Sequence, residues 1–192
     1  MNTQVSKKLA LGAALIVATL AMSSAHADER RVWMRFAGAL LQNVEQTEVT
    51  VDGSTVPATK NAVHVRAWGN LGRAEITGFG YDVPVAPAPD PAACPDGFFK
   101  VAEIVENNLV LTFADLSLLY GEGSGAICVN FATGDVFTPI DGHWTGGTQR
   151  FRNAGGDWSI RFDEAVPVGD AASMLAETGV IVGQLAGPRD DD

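Results

Sequence analysis

The stretch DGHWTGGTQRFRNAGGDW, Asp141 to Trp158, decides the fold of this chain. Its paired glycines suit either a cradle for a ligand or a corner between β-strands. A phosphate-binding loop ends in Gly-Lys-Ser or Gly-Lys-Thr and opens a helix. This stretch has no lysine before the β-like segment DWSIRF, so we interpret it as a corner. Phe151 then fills the core, and Gln149 is strained if its position needs a positive φ.

The segments around this corner are also typical of strands. Several are rich in β-branched or aromatic residues, and glycine-containing turns such as VDGS and WGNLG separate them. Short strands at regular spacing with glycine-rich turns predict an all-β barrel or sandwich. We favour a soluble barrel over an outer-membrane barrel, because the strands are short and irregular and the chain ends in acids. The clearest strands are VWMRFAGAL (32–40), TEVTV (47–51), AVHVRAW (62–68), RAEITGFGY (73–81), LVLTFAD (109–115), GAICVNF (125–131), GDWSIRF (156–162) and GVIVGQL (179–185).

Three segments interrupt this pattern. Residues 83–97 contain five prolines and predict a loop inside one domain, with a linker between two domains as the alternative. Asn107 and Asn108 lie between two apolar runs and predict a hairpin turn, because asparagine tolerates positive φ. Residues 169–177 are the one segment with a marginal helical pattern.

The N-terminus predicts export from the cytoplasm. Lys7 and Lys8 precede an apolar run, Leu9–Met22, that is too short to span a bilayer, and a small-residue cleavage pattern follows. We predict a signal peptide of residues 1–27, cleaved between Ala27 and Asp28, with a retained membrane anchor as the alternative. The remaining 28–192 form one domain with an acidic C-terminal tail and no membrane span. We expect a periplasmic or secreted protein.

The charge of the exported chain excludes several partners. After removal of the two leader lysines, 23 acidic residues oppose 11 basic ones, a formal charge of −12. Nucleic acids and anionic membranes are polyanions and would be repelled, so we expect neither as a partner. The acidic surface itself favours solubility.

Cys94 and Cys128 are the only cysteines, and both lie in the exported part. In an oxidising compartment a disulfide is expected, with free buried thiols as the alternative. A loop of this size is worth roughly 3–4 kcal/mol in the chain-entropy model. Only His64 and His143 remain as imidazole ligands, and neither has a metal-site spacing from a cysteine, so we expect no metal.

The tract around Gly-Gly-Thr-x-Arg-Phe resembles the allene oxide cyclase and dirigent barrel superfamily, especially its bacterial secreted members. Gln149 departs from the pattern, which usually has glycine there. The resemblance implies an eight-stranded antiparallel barrel, often with an interior cavity, and activities that include epoxide cyclisation and the guidance of phenoxy-radical coupling. It assigns no catalytic residue to this chain, because the catalytic residues of the plant members lie outside the tract. The matching residues are Gly146, Gly147, Thr148, Arg150, Phe151, Ala154 and Gly156.

Three side chains are weak catalytic candidates. Glu103 and Asp115 share the alternation of largely apolar strand faces, where a carboxyl has a raised pKa suited to a general acid. The alternatives are a salt bridge or solvation for Glu103 and a turn cap for Asp115. His143 adjoins Trp144 near a predicted strand end, so it could face a barrel mouth, although surface histidines are commoner.

We favour a binding protein over an enzyme. Its ligand would be a small apolar molecule, or its partner another protein, and no cofactor is expected. The alternative is a cofactor-free isomerase or cyclase acting on a lipid-like or phenolic substrate. That alternative requires at least one desolvated carboxylate, tyrosine or arginine facing an open cavity, and a barrel with an entirely apolar interior would exclude it.

Overall fold

The computed structural model describes residues 29–168 and 171–187, with the side chains of 163–165 and 171–173 left aside. The predicted signal peptide, its cleavage position at Ala27 and Asp28, and the acidic tail lie outside these residues. Nine strands make up most of the described chain. They are β1 (Arg30–Val51), β2 (Ser54–Gly69), β3 (Gly72–Ala88), β4 (Phe99–Phe113), β5 (Leu118–Val129), β6 (Val136–Phe137), β7 (Ile140–Gly147), β8 (Asp157–Val168) and β9 (Ala171–Leu185).

Eight of these strands close into a ring. The order is β4-β3-β2-β1-β9-β8-β7-β5, and β5 pairs back with β4, while the short β6 pairs only with β5. The paired neighbours around the ring are antiparallel. Closure leaves no free sheet edge around the barrel. The predicted eight-stranded antiparallel barrel is therefore confirmed.

One end of the barrel interior is filled by aromatic side chains. Trp144 and Trp158 are both buried, and their ring centroids lie 5.8 Å apart. The indole of Trp158 lies over glycines of β5 and β7, where no side chain fits. A Cβ on Gly142 would lie 2.3 Å from the Trp158 ring, and one on Gly123 would lie 2.7 Å from it. The glycines thus make room for a tryptophan inside a narrow barrel.

The β1–β2 hairpin extends beyond the barrel. TEVTV, taken as a separate strand in the sequence, belongs to the same continuous β1, in which the pairing with β2 shifts register between Leu41 and Glu45. A second apolar cluster, formed by Val49, Ala58 and Val83, packs beneath the extension. The extended hairpin therefore continues the sheet past the end of the barrel at which the pairing of β1 with β9 stops.

The prediction of a loop at 83–97 is wrong for residues 83–88. Strand β3 continues to Ala88, and Pro84 pairs with Ala102 of β4. The pairing of β2 with β3 ends at Asp82, so β3 has a neighbour on one side only from there on. A proline, which lacks the N–H donor, is tolerated at such an edge.

The predicted hairpin at Asn107 and Asn108 is also wrong. Both residues lie inside β4, where the pairing with β5 shifts register between Ile104 and Asn107. The residue with positive φ is Glu106, at 53°. The pair therefore marks a β-bulge within one strand rather than a turn between two.

The marginal helix predicted at 169–177 is a strand from residue 171 onward, as part of β9. Because β9 pairs with both β1 and β8, neighbouring strands override the weak local preference. Among residues 29–168 and 171–187, no helix is long and apolar enough to cross a membrane.

The predicted disulfide between Cys94 and Cys128 is confirmed, with Cα atoms 5.8 Å apart. It joins the connection between β3 and β4 to strand β5. Both cysteines are buried, in a small cluster with Ala126 and Phe137. The bond therefore fixes a long surface connection at the end of the barrel where β5 finishes.

Candidate functional site

The end of the barrel beneath the extended β1–β2 hairpin is not filled. It encloses a cavity of about 150 Å³ with mostly apolar walls, among them Phe36 and Phe162. The rings of these phenylalanines meet edge to face, 5.6 Å apart, and form one side of the cavity. Every isoleucine among the described residues lines this cavity: Ile76, Ile104, Ile127, Ile140, Ile160 and Ile181.

Asp82 and Asn61 place a hydrogen-bonded pair on the cavity wall. The Nδ2 amide of Asn61 donates to Oδ2 of Asp82 over 2.6 Å, and its Oδ1 accepts from the backbone N–H of Asn43 over 3.0 Å. Burial raises the pKa of Asp82 to about 6, although the hydrogen bond from Asn61 acts to lower it. The Asp82 carboxyl therefore titrates close to neutral pH.

Glu177 is a second carboxyl on the cavity wall. It is 5% exposed, and it lies on β9 opposite Gly38 of β1. No side chain in the described part of the chain donates a hydrogen bond or a positive charge to it within bonding distance. Burial alone raises the pKa of Glu177 to about 7. At neutral pH this carboxyl is present in both its protonated and its ionised form.

Asn107 adds an unused acceptor to the same cavity. Its Oδ1 is buried and, in the described part of the chain, receives no hydrogen bond. Asn107 follows the bulge in β4, which turns its side chain toward the cavity. Buried polar atoms are nearly always paired, so an unpaired acceptor beside a cavity is a favourable place for a ligand donor.

The three catalytic candidates from the sequence lie elsewhere. Glu103 accepts a hydrogen bond from Nζ of Lys100 over 3.1 Å, and Lys100 also pairs with Asp90 over 2.8 Å. His143 is exposed on β7, where it pairs across the strands with Glu122 and Asp157 rather than facing the interior. Neither side chain lines the cavity.

Asp115, the third candidate, has a structural environment. Its Oδ1 accepts from the backbone N–H of Ser117 over 3.0 Å and from the Ser117 hydroxyl over 2.6 Å. Those hydrogen bonds, together with the Arg150 guanidinium, lower the pKa of Asp115. The residue holds a turn at the end of the barrel away from the cavity.

The glycine-rich corner ties β5 to β7. Gly146 and Gly156 have φ values of 131° and 104°, which suit glycine. Thr148 donates its backbone N–H to the Leu118 carbonyl over 2.9 Å and accepts from the Leu118 N–H through Oγ1 over 3.0 Å. A Cβ on Gly147 would meet the same Leu118 carbonyl at 2.2 Å. The motif is a close backbone contact between strands.

The residues after this contact close the barrel opposite the cavity. The Arg150 guanidinium lies 4.6 Å from the ring centroids of both Phe113 and Phe151. It also bonds Oδ2 of Asp115 over 3.1 Å, while Phe151 and Ala154 are buried. Gln149 has a φ of 50°, the positive value considered in the sequence analysis. The corner therefore has a structural role, because its residues close the barrel at the end opposite the cavity.

Sequence reasoning missed both cavity carboxyls. Asp82 lies between the predicted strand 73–81 and the predicted loop 83–97, and Glu177 lies in the segment with a marginal helical pattern. A signal for Glu177 did exist, because it alternates with Leu175, Gly179 and Ile181 on one strand face. No three His, Cys, Asp or Glu side chains in residues 29–168 and 171–187 are placed to hold a metal ion.

The solved structures that are similar to this chain include two pterocarpan synthase dirigent proteins. The pterocarpan synthase dirigent protein PsPTS1 is 12% identical, with a TM-score of 0.46 and coverage of 83% of this chain and 96% of that one. For the pterocarpan synthase dirigent protein GePTS1 the values are 10%, 0.41, 85% and 88%. No family model matches the sequence, and no curated protein matches it. The fold is therefore assigned from the order and pairing of its own strands.

Proposed function

We propose that this protein binds a small apolar molecule that carries a polar group. The apolar part would occupy the barrel cavity, and the polar group would lie against Asp82 and Glu177. The observation that carries the proposal is the cavity itself, with apolar walls and a few polar groups on them, which is the usual make-up of a small-molecule site. A volume of about 150 Å³ suits one six-membered ring.

The energetic cost of the cavity supports this proposal. Protein interiors are normally close-packed, so 150 Å³ left unfilled by side chains gives up packing contacts that would stabilise the fold. The same barrel fills its other end with two tryptophans. The buried carboxyl of Glu177 and the half-buried carboxyl of Asp82 add to the cost. Sites that sacrifice stability in this way are commonly functional. An unfilled interior also favours a small ligand over a protein partner.

Ligand-observed NMR with benzyl alcohol tests the proposal. We expect saturation transfer from the protein to the benzyl alcohol ring, with a dissociation constant of millimolar order, about −4 kcal/mol. Gly80 lines the cavity, and a Cβ there would lie 3.3 Å from the Asn107 amide. Gly80→Val therefore fills space that the ligand needs and should remove the signal.

Thr77→Val is the matched control for Gly80→Val, because Thr77 is exposed on the outer face of the same strand. It should leave the saturation transfer unchanged. Equal signals from the Gly80→Val and Thr77→Val proteins would place benzyl alcohol outside the cavity and overturn the proposal.

A second candidate is a cofactor-free isomerase or cyclase on a lipid-like or phenolic compound. It is favoured by Asp82 and Glu177, two carboxyls with raised pKa values on the cavity wall, which meet the condition set by the sequence. Membership of the allene oxide cyclase and dirigent barrel superfamily, with its bacterial secreted members, is part of this proposal. The Gly-Gly-Thr-x-Arg-Phe tract and the eight-stranded ring support it.

Opening of styrene oxide tests this second candidate. A protonated Glu177 could donate its proton to the epoxide oxygen as the benzylic C–O bond breaks. A hydride shift from the adjacent carbon to the benzylic carbon, with return of the hydroxyl proton to Glu177, then gives the isomer phenylacetaldehyde, whose formation should be seen below about pH 7. Glu177→Gln keeps the shape of the side chain and removes the acidic proton. Turnover that is equal in the two proteins would exclude Glu177 as the acid.

We also propose that the protein works outside the cytoplasm, in the periplasm or after secretion. The disulfide between Cys94 and Cys128 supports this location, because such bonds form in oxidising compartments. The leader-like first 27 residues of the sequence support it as well. The mass of the protein purified from its own cells should be that of a chain that starts at Asp28. It should be lower than that of the reduced chain by two hydrogens, because the disulfide removes one from each thiol.

A further inference from the structure

We propose that the cavity selects an apolar ammonium, that is, a small hydrophobic amine in its protonated form, over neutral and anionic molecules of the same shape. The inference rests on the proposed function, because it names the class of molecule that would occupy the same cavity. It goes further in assigning a charge to the polar group of that molecule.

The charged groups on the cavity wall have one sign. Among the described side chains that line it, Asp82 and Glu177 are acids, and there is no lysine, arginine or histidine. The remaining polar side chains there are neutral: Gln42, Asn61, Asn107 and Thr138. A bound carboxylate would meet two acids with no counter-charge in a poorly solvated space, which is strongly unfavourable.

An ammonium supplies what these groups lack. It carries three N–H donors and one positive charge. In the described part of the chain Glu177 has no cationic partner and Asn107 Oδ1 has no donor. Asp82 has a hydrogen bond from Asn61 but no cationic partner either, and Lys60 on the adjacent strand lies over the ring of Phe79 instead. A single ammonium near any of these oxygens would be held by charge-assisted hydrogen bonds, which are about twice as strong as neutral ones.

The surroundings of Glu177 contain no competing cation. Strand β9, which carries it, lies between β1 and β8, and their described cavity-lining side chains are Phe36, Leu40, Gln42, Ile160 and Phe162, which are all uncharged. Asp82 on β3 is the one other charged side chain that lines the cavity in the described residues. The chain as a whole has a formal charge of −10, so the long-range field also attracts cations.

Protonation of the carboxyls gives the selectivity a pH dependence. Burial raises the pKa of Glu177 to about 7 and that of Asp82 to about 6, and a neighbouring cation would lower both. By linkage, a ligand that lowers these pKa values binds more tightly as pH rises from 5 to 8. If the pKa of Glu177 returned to near its ordinary value, the affinity would rise by at least about tenfold over that interval.

Three probes test the inference: benzylamine, benzyl alcohol and benzoate. Each is a benzene ring with one polar group attached through a single carbon atom. Their dissociation constants are measured by NMR titration of the intact protein at pH 5 and pH 8. We expect protonated benzylamine to bind at least about tenfold more tightly than benzyl alcohol at pH 8, and to lose most of that advantage at pH 5. Benzoate should bind most weakly at pH 8.

Charge-removing variants identify the groups responsible. Glu177→Gln and Asp82→Asn should each weaken the binding of benzylamine at pH 8 several-fold more than they change that of benzyl alcohol. The exposed Glu122 gives the matched control Glu122→Gln, which removes the same charge outside the cavity and should change neither. Circular dichroism checks that each variant is folded. If only one of the two cavity variants folds, that variant is sufficient for the comparison with Glu122→Gln.

The outcomes separate this inference from the proposed function. Benzyl alcohol that binds in the cavity as tightly as benzylamine at pH 8 overturns the selection of an ammonium and leaves the proposed function standing. Failure of all three probes to bind overturns both. A loss of benzylamine affinity in Glu122→Gln equal to that in Glu177→Gln would assign the effect to net charge and also overturn the inference.

Discussion

Replacing Glu177 by glutamine should stabilise the barrel at alkaline pH and not at acidic pH. The carboxyl is 5% exposed, and burial raises its pKa from 4.5 to about 7. In the unfolded chain Glu177 loses its proton near pH 4.5, whereas in the folded chain it loses it near pH 7. Between these pH values the folded state holds more protons than the unfolded state, so the free energy of unfolding falls as pH rises. The full loss, present above about pH 8, is about 3 kcal/mol.

The comparison of two pH values isolates this effect. A buried glutamine amide has its own cost of about 1–3 kcal/mol, but that cost is the same at both. Relative to the parent protein, Glu177→Gln should therefore gain about 2–3 kcal/mol of unfolding free energy when the pH is raised from 4 to 8. For a domain of this size, that corresponds to roughly 4–12 °C in Tm.

Urea denaturation followed by tryptophan fluorescence measures both proteins at each pH. The exposed Glu122 provides the control Glu122→Gln, for which we expect the difference from the parent to stay within about 0.5 kcal/mol at both pH values. A Glu177→Gln protein whose difference from the parent is the same at pH 4 and pH 8 would refute the reasoning. So would a relative loss of stability at pH 8, since it would mean that the ionised carboxylate is stabilised by the fold.

Two further predictions concern the barrel frame. Gly142→Ala should destabilise the protein by roughly 3 kcal/mol or more in urea denaturation, because its Cβ would lie 2.3 Å from the Trp158 ring. Gly155→Ala, where a Cβ has open space, should change stability by less than about 1 kcal/mol, and equal effects of the two would contradict the packing described. Replacing Cys94 and Cys128 together by serine should cost roughly 3–4 kcal/mol, and calorimetry that finds no loss of Tm would mean that the bond does not stabilise the fold.

The strand content and the corner could be predicted from the sequence because they depend on local chemistry. Alternating apolar residues indicate strands, and Gly146 does adopt the positive φ expected of a glycine corner. The number of strands in the ring followed only from the likeness of the Gly-Gly-Thr-x-Arg-Phe tract to a known family. Local patterns do not state which strands pair, since pairing is decided by contacts between distant parts of the chain.

The side of the barrel wall on which Glu103 lies could not be predicted, because both faces of β4 carry apolar residues and a β-bulge in this strand changes which face is interior. Before the bulge in β4, Ala102 and Ile104 are buried, so Glu103 points outward. After it, Leu109 and Leu111 are buried, and the parity of the interior has reversed. Glu103 alternates with apolar neighbours on the outer face, so alternation alone did not distinguish that face from the inner one. A register shift of one residue moves every later side chain to the other face.

Methyl NMR of protein labelled at its isoleucine and leucine methyl groups tests the central claim, that the barrel holds a small molecule in its interior, most directly. Each of the isoleucines among residues 29–187 lines the cavity, so their δ1-methyl signals report on it together. Leu116, 74% exposed in the turn after β4, supplies a labelled reference outside it. Titration with benzyl alcohol should shift the isoleucine methyl signals with one common dissociation constant and leave those of Leu116 in place. Unchanged isoleucine signals at tens of millimolar benzyl alcohol, or shifts confined to Leu116, would contradict the account.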